Sequence, residues 1–186
     1  MKSEKILLID VCREAFHYFE FVKPIEDILK VGDFDYSTKH YTELKKGDIE
    51  RFSRVIICGT SLADNDFLIK KNLLRFKWLF NFTKPVLGIC AGMQILGLIL
   101  QKKVELGLKK EIGFYYENFS KSFLGLEGKQ EVYHLHNNSV VFNEGWEEFT
   151  NSKVNQAVKH CSREIYGVLF HPEVRQKGLI TNFCNL

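Results

Sequence analysis

The sequence predicts an α/β domain with a largely parallel, twisted sheet flanked by helices. Short apolar runs such as Lys5–Val11 and Arg54–Cys58 have no polar face, which is typical of parallel strands covered on both sides. Segments of helical length separate these runs, and such an alternation favours a doubly wound sheet. A chain of 186 residues can bury one good core, so a single domain over residues 1–186 is predicted.

The first half of the chain carries the clearer strand and helix patterns. After the first strand, Cys12–Phe21 is aromatic and favours no single element. Pro24 suits the first turn of a helix at Val22–Lys30, and Gly32 follows the end of that helix. The next predicted elements are a strand at Tyr36–His40, a helical turn at Asp48–Phe52, the strand at Arg54–Cys58, an amphipathic helix at Asp66–Phe80, a strand at Val86–Ile89 and a helix at Ala91–Leu100.

Beyond Val104 the pattern changes to short β-rich pieces. Asn155–His160 and Ile165–Phe170 are predicted to form a hairpin around Ser162 and Arg163, and a last helix is predicted near Gln176–Phe183. The remaining predicted strands are Gly113–Tyr116, Gln130–Leu135 and Val140–Phe142.

Composition excludes several classes of protein. The net charge is only +3 and Lys and Glu alternate, so nothing indicates a nucleic-acid surface. Five scattered cysteines without a CxxC pair indicate neither a zinc site nor a disulfide framework, and they fit a reducing cytosol. No signal segment is evident, and the longest apolar run is too short to span a bilayer. A cytoplasmic protein without a cofactor is therefore expected.

A candidate nucleophile lies between the predicted strand Val86–Ile89 and the helix that follows it. Gly88-Ile89-Cys90-Ala91-Gly92 has the plan of a nucleophile elbow, in which glycines relieve crowding around a sharp turn. A thiol becomes a good nucleophile when it ionises, and a helix N-terminus favours the anion. The sequence thus predicts that Cys90 is presented at the carboxyl edge of the sheet.

A candidate base follows the last predicted strand. His171 leaves that strand at the same edge as Cys90, where open α/β sheets bind their ligands. Pro172 stiffens the exit, and Glu173 is near enough in the chain to orient the imidazole. These three side chains predict a Cys–His–Glu catalytic triad.

Together, Gly88-Ile-Cys-Ala-Gly-Met-Gln94 and Gly167-Val-Leu-Phe-His-Pro-Glu173 resemble the motifs of class I, triad-type glutamine amidotransferases, and the resemblance covers nearly the whole chain. It implies the flavodoxin-like fold of that family and a size similar to the stand-alone archaeal GMP synthase glutaminase subunit. It implies that Cys90 is the nucleophile, His171 the general acid and base, and Glu173 its orienting group. The implied reaction is hydrolysis of L-glutamine to glutamate and ammonia, with the ammonia passed to a separate synthetase.

The same resemblance implies further roles. The oxyanion hole would be formed by Ala91 and by the loop that contains Gly59 and Thr60, and the implied substrate-binding residues are Gln94, His136, Asn137 and Asn138. Many family members carry a Gly-Gly-Pro or Asn-Gly-Pro loop where this chain has Gly59-Thr60-Ser61. Because a β-branched residue resists unusual backbone angles, Thr60 predicts a hole that forms only when a partner binds.

Some alternatives stay open on the sequence. His134 and His136 share one face of a predicted strand, but no carboxylate is near them in the chain, so a pocket wall or structural role is expected rather than a metal site. A cysteine hydrolase acting on γ-glutamyl or peptide amides is one rival function. A non-catalytic regulatory homologue is the other, and Thr60 is the residue that favours it.

Overall fold

The computed structural model describes residues 5–45, 47–101 and 106–186, and the predicted fold class is confirmed. Its strands are β1 Ile6–Asp10, β2 Tyr36–His40, β3 Arg54–Ile57, β4 Val86–Ile89, β5 Leu106–Phe123, β6 Leu126–Val140, β7 Trp146–Glu148, β8 Ala157–His160 and β9 Ile165–Val168. Its α-helices are α1 His17–Phe21, α2 Lys23–Val31, α3 Lys70–Leu73, α4 Ala91–Leu100 and α5 Lys177–Cys184. Short 3₁₀ segments occur at Tyr41–Glu43, Asp66–Leu68 and Leu74–Phe80.

Seven strands form the main sheet in the order β2-β1-β3-β4-β9-β8-β7. The pairings from β2 through β9 are parallel, while β8 and β7 extend the sheet in antiparallel fashion. The predicted β8–β9 hairpin is therefore present. Since β4 and β9 are parallel neighbours, the residues that follow them emerge side by side at the carboxyl edge.

The two faces of the sheet are covered by different elements. In β1, Ile6 and Leu8 pack into one core with α2 and α5, while Leu7 and Ile9 pack into another with α4. All four side chains are fully buried, which explains why the strand has no polar face.

The pieces predicted at Gly113–Tyr116 and Gln130–Leu135 are parts of one long antiparallel hairpin, β5–β6, that pairs separately from the main sheet. The predicted strand Val140–Phe142 is wrong beyond Val140, where β6 ends.

Leu124 and Gly125 form the two-residue turn of this hairpin, both with positive φ as hairpin turns require. Asn182 of α5 donates from Nδ2 to the Leu124 carbonyl at 2.9 Å. Phe119, Phe123 and Val132 pack into the same core as α2 and α5.

The prediction of one continuous helix over Asp66–Phe80 is wrong. Ile69 adopts an extended conformation at ψ 128°, and the segment divides into short helical pieces on either side of it. The Asp66 carbonyl accepts from Ile69 N at 3.1 Å and from Asn72 Nδ2 at 2.8 Å, so Asp66–Leu68 forms a separate 3₁₀ turn. Helix α1 and strand β7 have no counterpart in the prediction.

None of the helices in residues 5–45, 47–101 and 106–186 is long and apolar enough to cross a membrane.

Candidate active site

Cys90 occupies a strained turn between β4 and α4. Its φ is 49° and its ψ −103°, a region that costs a non-glycine residue about 1–3 kcal/mol. The surrounding backbone holds this conformation: Cys90 N donates to the Val168 carbonyl at 2.8 Å, and Gln94 N donates to the Cys90 carbonyl at 3.0 Å. The turn presents the thiol at the first turn of α4, as the sequence predicts.

Two glycines allow this turn to pack against the sheet. A Cβ at Gly92 would lie 2.2 Å from the Ile57 carbonyl oxygen, and a Cβ at Gly88 would lie 2.6 Å from the Gly92 carbonyl carbon. Both distances are far below van der Waals contact. The absence of a side chain at these two glycines therefore lets the backbone of the turn pack directly against β3 and β4.

His171 and Glu173 form a buried pair at the same sheet edge. His171 Nδ1 donates to Glu173 Oε1 at 2.7 Å, and the two side chains are each only 1% exposed. The backbone N–H of His171 donates to the Tyr133 carbonyl of β6 at 2.8 Å. The ring of Phe21, which ends α1, packs 5.4 Å from the imidazole between centroids.

Cys90 and His171 approach each other beside Gly59. A Cβ on Gly59 would lie 2.7 Å from His171 Cε1 and 3.4 Å from Cys90 Cβ. The Cys90 sulfur contacts the Leu135 carbonyl at 3.6 Å, and His171 Nε2 has no hydrogen-bond partner among the described residues.

The electrostatics of the pair favour an imidazolium ion. Burial by itself lowers the pKa of His171, but the Glu173 carboxylate and the Cys90 sulfur outweigh it and raise that pKa well above 6.5. A raised pKa in the folded chain adds stability that is complete below pH 6.5 and is lost as pH rises through the raised value.

This linkage predicts how stability depends on pH. Glu173→Gln should lower the melting temperature most below pH 6.5, and the loss should shrink as the pH rises through the raised pKa of His171, because the imidazolium then loses its proton in both proteins. Melting curves across this range measure the difference. In a His171→Gln background the same change should give a difference that does not vary with pH. A deficit of Glu173→Gln that grows with pH would contradict the assignment.

The loop expected to form half of the oxyanion hole is held by a buried carboxylate. Thr60 Oγ1 donates to Asp64 Oδ2 at 2.7 Å. The same oxygen accepts from Arg13 N at 3.0 Å and lies 2.8 Å from His17 Nδ1. Burial disfavours the charged form of Asp64, but these donors outweigh it and lower its pKa. The φ angle of Thr60 is not positive here. Among the described non-glycine residues, only Asp33, Cys90 and Leu124 have a positive φ.

The residues expected to bind substrate line a narrow cleft with Cys90. About 10 Å³ of this cleft is open to water, which is room for a single molecule. Gln94 Nε2 donates to the Asn138 carbonyl at 3.2 Å, while its Oε1 finds no hydrogen-bond donor in the described part of the chain. Asn137 Nδ2 donates to the Leu62 carbonyl at 3.3 Å. The cleft lining also includes Ala91, Thr60 and His136. In this conformation it is closed to a glutamine side chain.

A larger cavity of about 570 Å³ lies away from the cysteine. It is bordered by residues that precede β3 and β4, such as Ile49, Glu50 and Lys84. Although this cavity is larger than the cleft at Cys90, none of the predicted catalytic residues lines it.

Sequence reasoning missed several groups around the site. Asp64 and His17 support the Thr60 loop. Neither residue directly follows a predicted strand, which is the signal that identified Cys90 and His171. Glu111 lies directly opposite His136 in the β5–β6 register and supplies the carboxylate that the sequence does not place near the histidine pair. Pairing the two strands in advance would have found it.

Comparison with known proteins gives the family. A family model described as "Glutamine amidotransferase class-I" matches residues 21–183. The chain is 34% identical over 162 residues to a GMP synthase [glutamine-hydrolyzing] of Staphylococcus saprophyticus, covering 80% of this chain and 30% of that protein. A Staphylococcus epidermidis GMP synthase [glutamine-hydrolyzing] is 33% identical over 168 residues, or 81% and 32% of the two chains. The chain thus spans about a third of the length of these curated relatives.

Solved structures share the fold. A Thermoplasma acidophilum protein provisionally assigned to GMP synthase as one of its subunits has a TM-score of 0.85 at 19% identity, covering 100% of this chain and 94% of that one. A glutamine amidotransferase from Thermotoga maritima has a TM-score of 0.73 at 20% identity, with 100% and 84% covered. With the family match extending over most of the sequence, the chain belongs to the class I glutamine amidotransferases.

Proposed function

We propose that this chain hydrolyses L-glutamine to glutamate and ammonia with Cys90, His171 and Glu173 as its catalytic triad. The observation that carries the proposal is the strained Cys90 turn beside a buried His171–Glu173 pair, at the ligand-binding edge of a parallel sheet. A positive φ at a cysteine is costly, and such strain concentrates at functional sites.

The geometry supports a thioester mechanism. The Cys90 thiolate attacks the side-chain carboxamide carbon, and the carbonyl electrons move to oxygen. Collapse of this tetrahedral oxyanion breaks the C–N bond, and the His171 imidazolium protonates the departing ammonia. Water, giving its proton to the neutral imidazole, then attacks the γ-glutamyl thioester and releases glutamate and the thiolate. Glu173 keeps Nδ1 of His171 protonated so that Nε2 can carry the proton to and from the reaction.

The oxyanion hole in this proposal uses the backbone N–H groups of Ala91 and of the Gly59–Thr60 loop. Ala91 is the first residue of α4, where N–H groups lack helical partners. Gly59 is needed because any side chain there would strike the His171 ring. One donor to an oxyanion is typically worth about 3–4 kcal/mol, so the position of the loop affects the rate strongly.

The Thr60–Asp64 hydrogen bond should position this loop. Thr60→Val keeps the shape of the side chain but removes the donor to Asp64, and we expect kcat for glutamine hydrolysis to fall roughly 10- to 100-fold with little change in KM. Thr60→Ser, which keeps the hydroxyl, is the matched control and should retain most of the activity. Equal activity of the Val and Ser variants would show that the loop does not depend on this bond.

The ammonia acceptor in this proposal is a separate synthetase of the GMP synthase type, acting in the cytoplasm. The support is the similarity to about a third of two glutamine-hydrolysing GMP synthases, together with a cleft that is closed to glutamine in this conformation. A partner that opens the cleft and repositions the Thr60 loop would couple hydrolysis to synthesis. All five cysteines are free, which fits the expected reducing compartment.

Ammonia release from glutamine, measured with and without candidate ammonia-dependent synthetases, tests the proposal. We expect turnover by the wild-type chain that increases when the correct synthetase and its other substrates are added. Turnover of γ-glutamyl peptides but not of free glutamine would instead favour a γ-glutamyl hydrolase. Glutamine turnover that no synthetase changes would contradict the coupling and leave the hydrolysis standing.

A further inference from the structure

The geometry points to a second site: we propose that Glu111, His134 and His136 bind one divalent transition-metal ion, with Zn²⁺ the best match. The three side chains lie on facing positions of the β5–β6 hairpin, with Glu111 directly opposite His136. Both histidines are at most 1% exposed and the glutamate side chain is 16% exposed. Two imidazoles and one carboxylate are a donor set that zinc uses in proteins.

The spacing of the three ligand atoms fits a metal ion bound to all three of them. His134 Nδ1 and His136 Nε2 are 3.1 Å apart, and Glu111 Oε2 lies 3.4 Å from the first and 3.2 Å from the second. Zinc bonds of about 2.0–2.2 Å place neighbouring tetrahedral ligands about 3.3–3.6 Å apart. The triangle is therefore close to one face of a zinc tetrahedron, and a small expansion would admit the ion. The fourth position would be open to water.

The groups around the triangle resemble the outer shell of a metal site. The other ring nitrogen of His134 makes no hydrogen bond to the described residues but lies 3.3 Å from Glu117 Oε1, and a carboxylate commonly stands behind a metal-binding histidine in this way. Glu117 is itself buried and accepts a hydrogen bond from Ser152. Gln156 Nε2 donates to Glu111 Oε2 at 2.9 Å and holds the ligand oxygen in position. These contacts pre-organise the ligands.

The charges at this site also favour a cation. Two carboxylates, Glu111 and Glu117, flank the fully buried His134, so negative groups are concentrated where a cation would be attracted. A divalent ion would supply positive charge while each histidine stays neutral, which is the form that binds metal. The Tyr115 ring covers His134 edge-on at 4.9 Å between centroids and shields it from solvent.

The role we assign to the metal is positional, because β6 contacts both proposed catalytic residues. The carbonyl of Tyr133 accepts from the His171 backbone, and the carbonyl of Leu135 contacts the Cys90 sulfur. These two residues alternate with the two histidines along the strand. An ion that ties His134 and His136 to β5 would hold this stretch of β6 in place against the catalytic edge.

Titration of the metal-depleted full chain with Co²⁺ and Zn²⁺ tests the site. We expect one equivalent of Co²⁺ to give the visible absorption of a four-coordinate ion and Zn²⁺ to displace it. Glu111→Gln and His134→Asn should each weaken Zn²⁺ affinity more than 100-fold, and Glu117→Gln about 10- to 100-fold. Saturating Zn²⁺ should raise the melting temperature of the wild type by roughly 5–10 °C and leave the two ligand variants unchanged.

Three controls make the result decisive. His160→Asn removes a histidine elsewhere on the surface and should bind Zn²⁺ like the wild type. Cys90→Ala removes the thiol that contacts β6 beside the histidine pair and should also bind one equivalent. X-ray absorption at the zinc edge of the wild-type complex should show nitrogen and oxygen ligands without sulfur, which needs no variant. Stoichiometric binding that survives both ligand variants, or a sulfur ligand that Cys90→Ala abolishes, would overturn the proposal whether or not the chain hydrolyses glutamine.

Discussion

Cys90→Ala is expected to lower kcat for glutamine hydrolysis by at least about 10⁴-fold, because a catalytic unit that loses its nucleophile retains only binding and oxyanion stabilisation. Alanine tolerates the turn as cysteine does, so the fold should survive. Ammonia release under saturating glutamine measures the loss. A glutamine-analogue alkylator should label the wild-type chain once, and peptide mapping should find the label on Cys90.

The matched control is Cys161→Ala, which removes an exposed thiol from the turn between β8 and β9. It should keep full activity and the same single label. If Cys90→Ala retains ammonia release, or if the label maps to another cysteine, the assignment of the nucleophile is wrong.

Gly92→Ala is expected to cost at least about 3 kcal/mol of unfolding free energy, which lowers the melting temperature by roughly 6–12 °C. The added Cβ would lie 2.2 Å from the Ile57 carbonyl oxygen, and neither backbone can move without disturbing the sheet. Thermal denaturation followed by circular dichroism measures this loss. Because the same shift would displace Cys90, glutaminase activity should fall even below the unfolding temperature.

Gly178→Ala provides the matched control, since Gly178 is likewise the second residue of a helix. A Cβ there meets nothing within 4 Å, so the change should raise stability by about 0.5–1 kcal/mol through helix propensity. Equal effects at the two positions would mean that the elbow relaxes around the methyl group.

The features that sequence predicted well are those that local patterns encode. The parallel strands are continuous apolar runs, and the Gly88–Gly92 turn and the His171–Glu173 pair are each set by a few adjacent residues. The sheet edge then brings them together, because β4 and β9 are parallel neighbours. The roles of these residues in the reaction remain predictions.

Long-range pairing explains what the sequence did not predict. The strands β5 and β6 contain Gly113 and Gly128 at positive φ, which read locally as breaks, so one hairpin looked like several short strands. The pairing of Glu111 with His136 follows only from the register of that hairpin. Likewise, the extended backbone at Ile69 interrupts a segment whose apolar spacing favours a continuous helix, and the Asn72 bond to the Asp66 carbonyl spans the break.

The bond between Asn182 and the hairpin turn has a consequence for the order of biosynthesis. The hairpin that covers Cys90 is held at its tip by a helix that the ribosome makes after every strand of the sheet. Synthesis at about 5–20 residues per second places α5 roughly 5–20 s behind Cys90. His171 also arrives within this interval. A nascent chain therefore carries Cys90 well before it has His171 or the docked hairpin. On the proposed mechanism, glutamine hydrolysis begins only after α5 has emerged and docked.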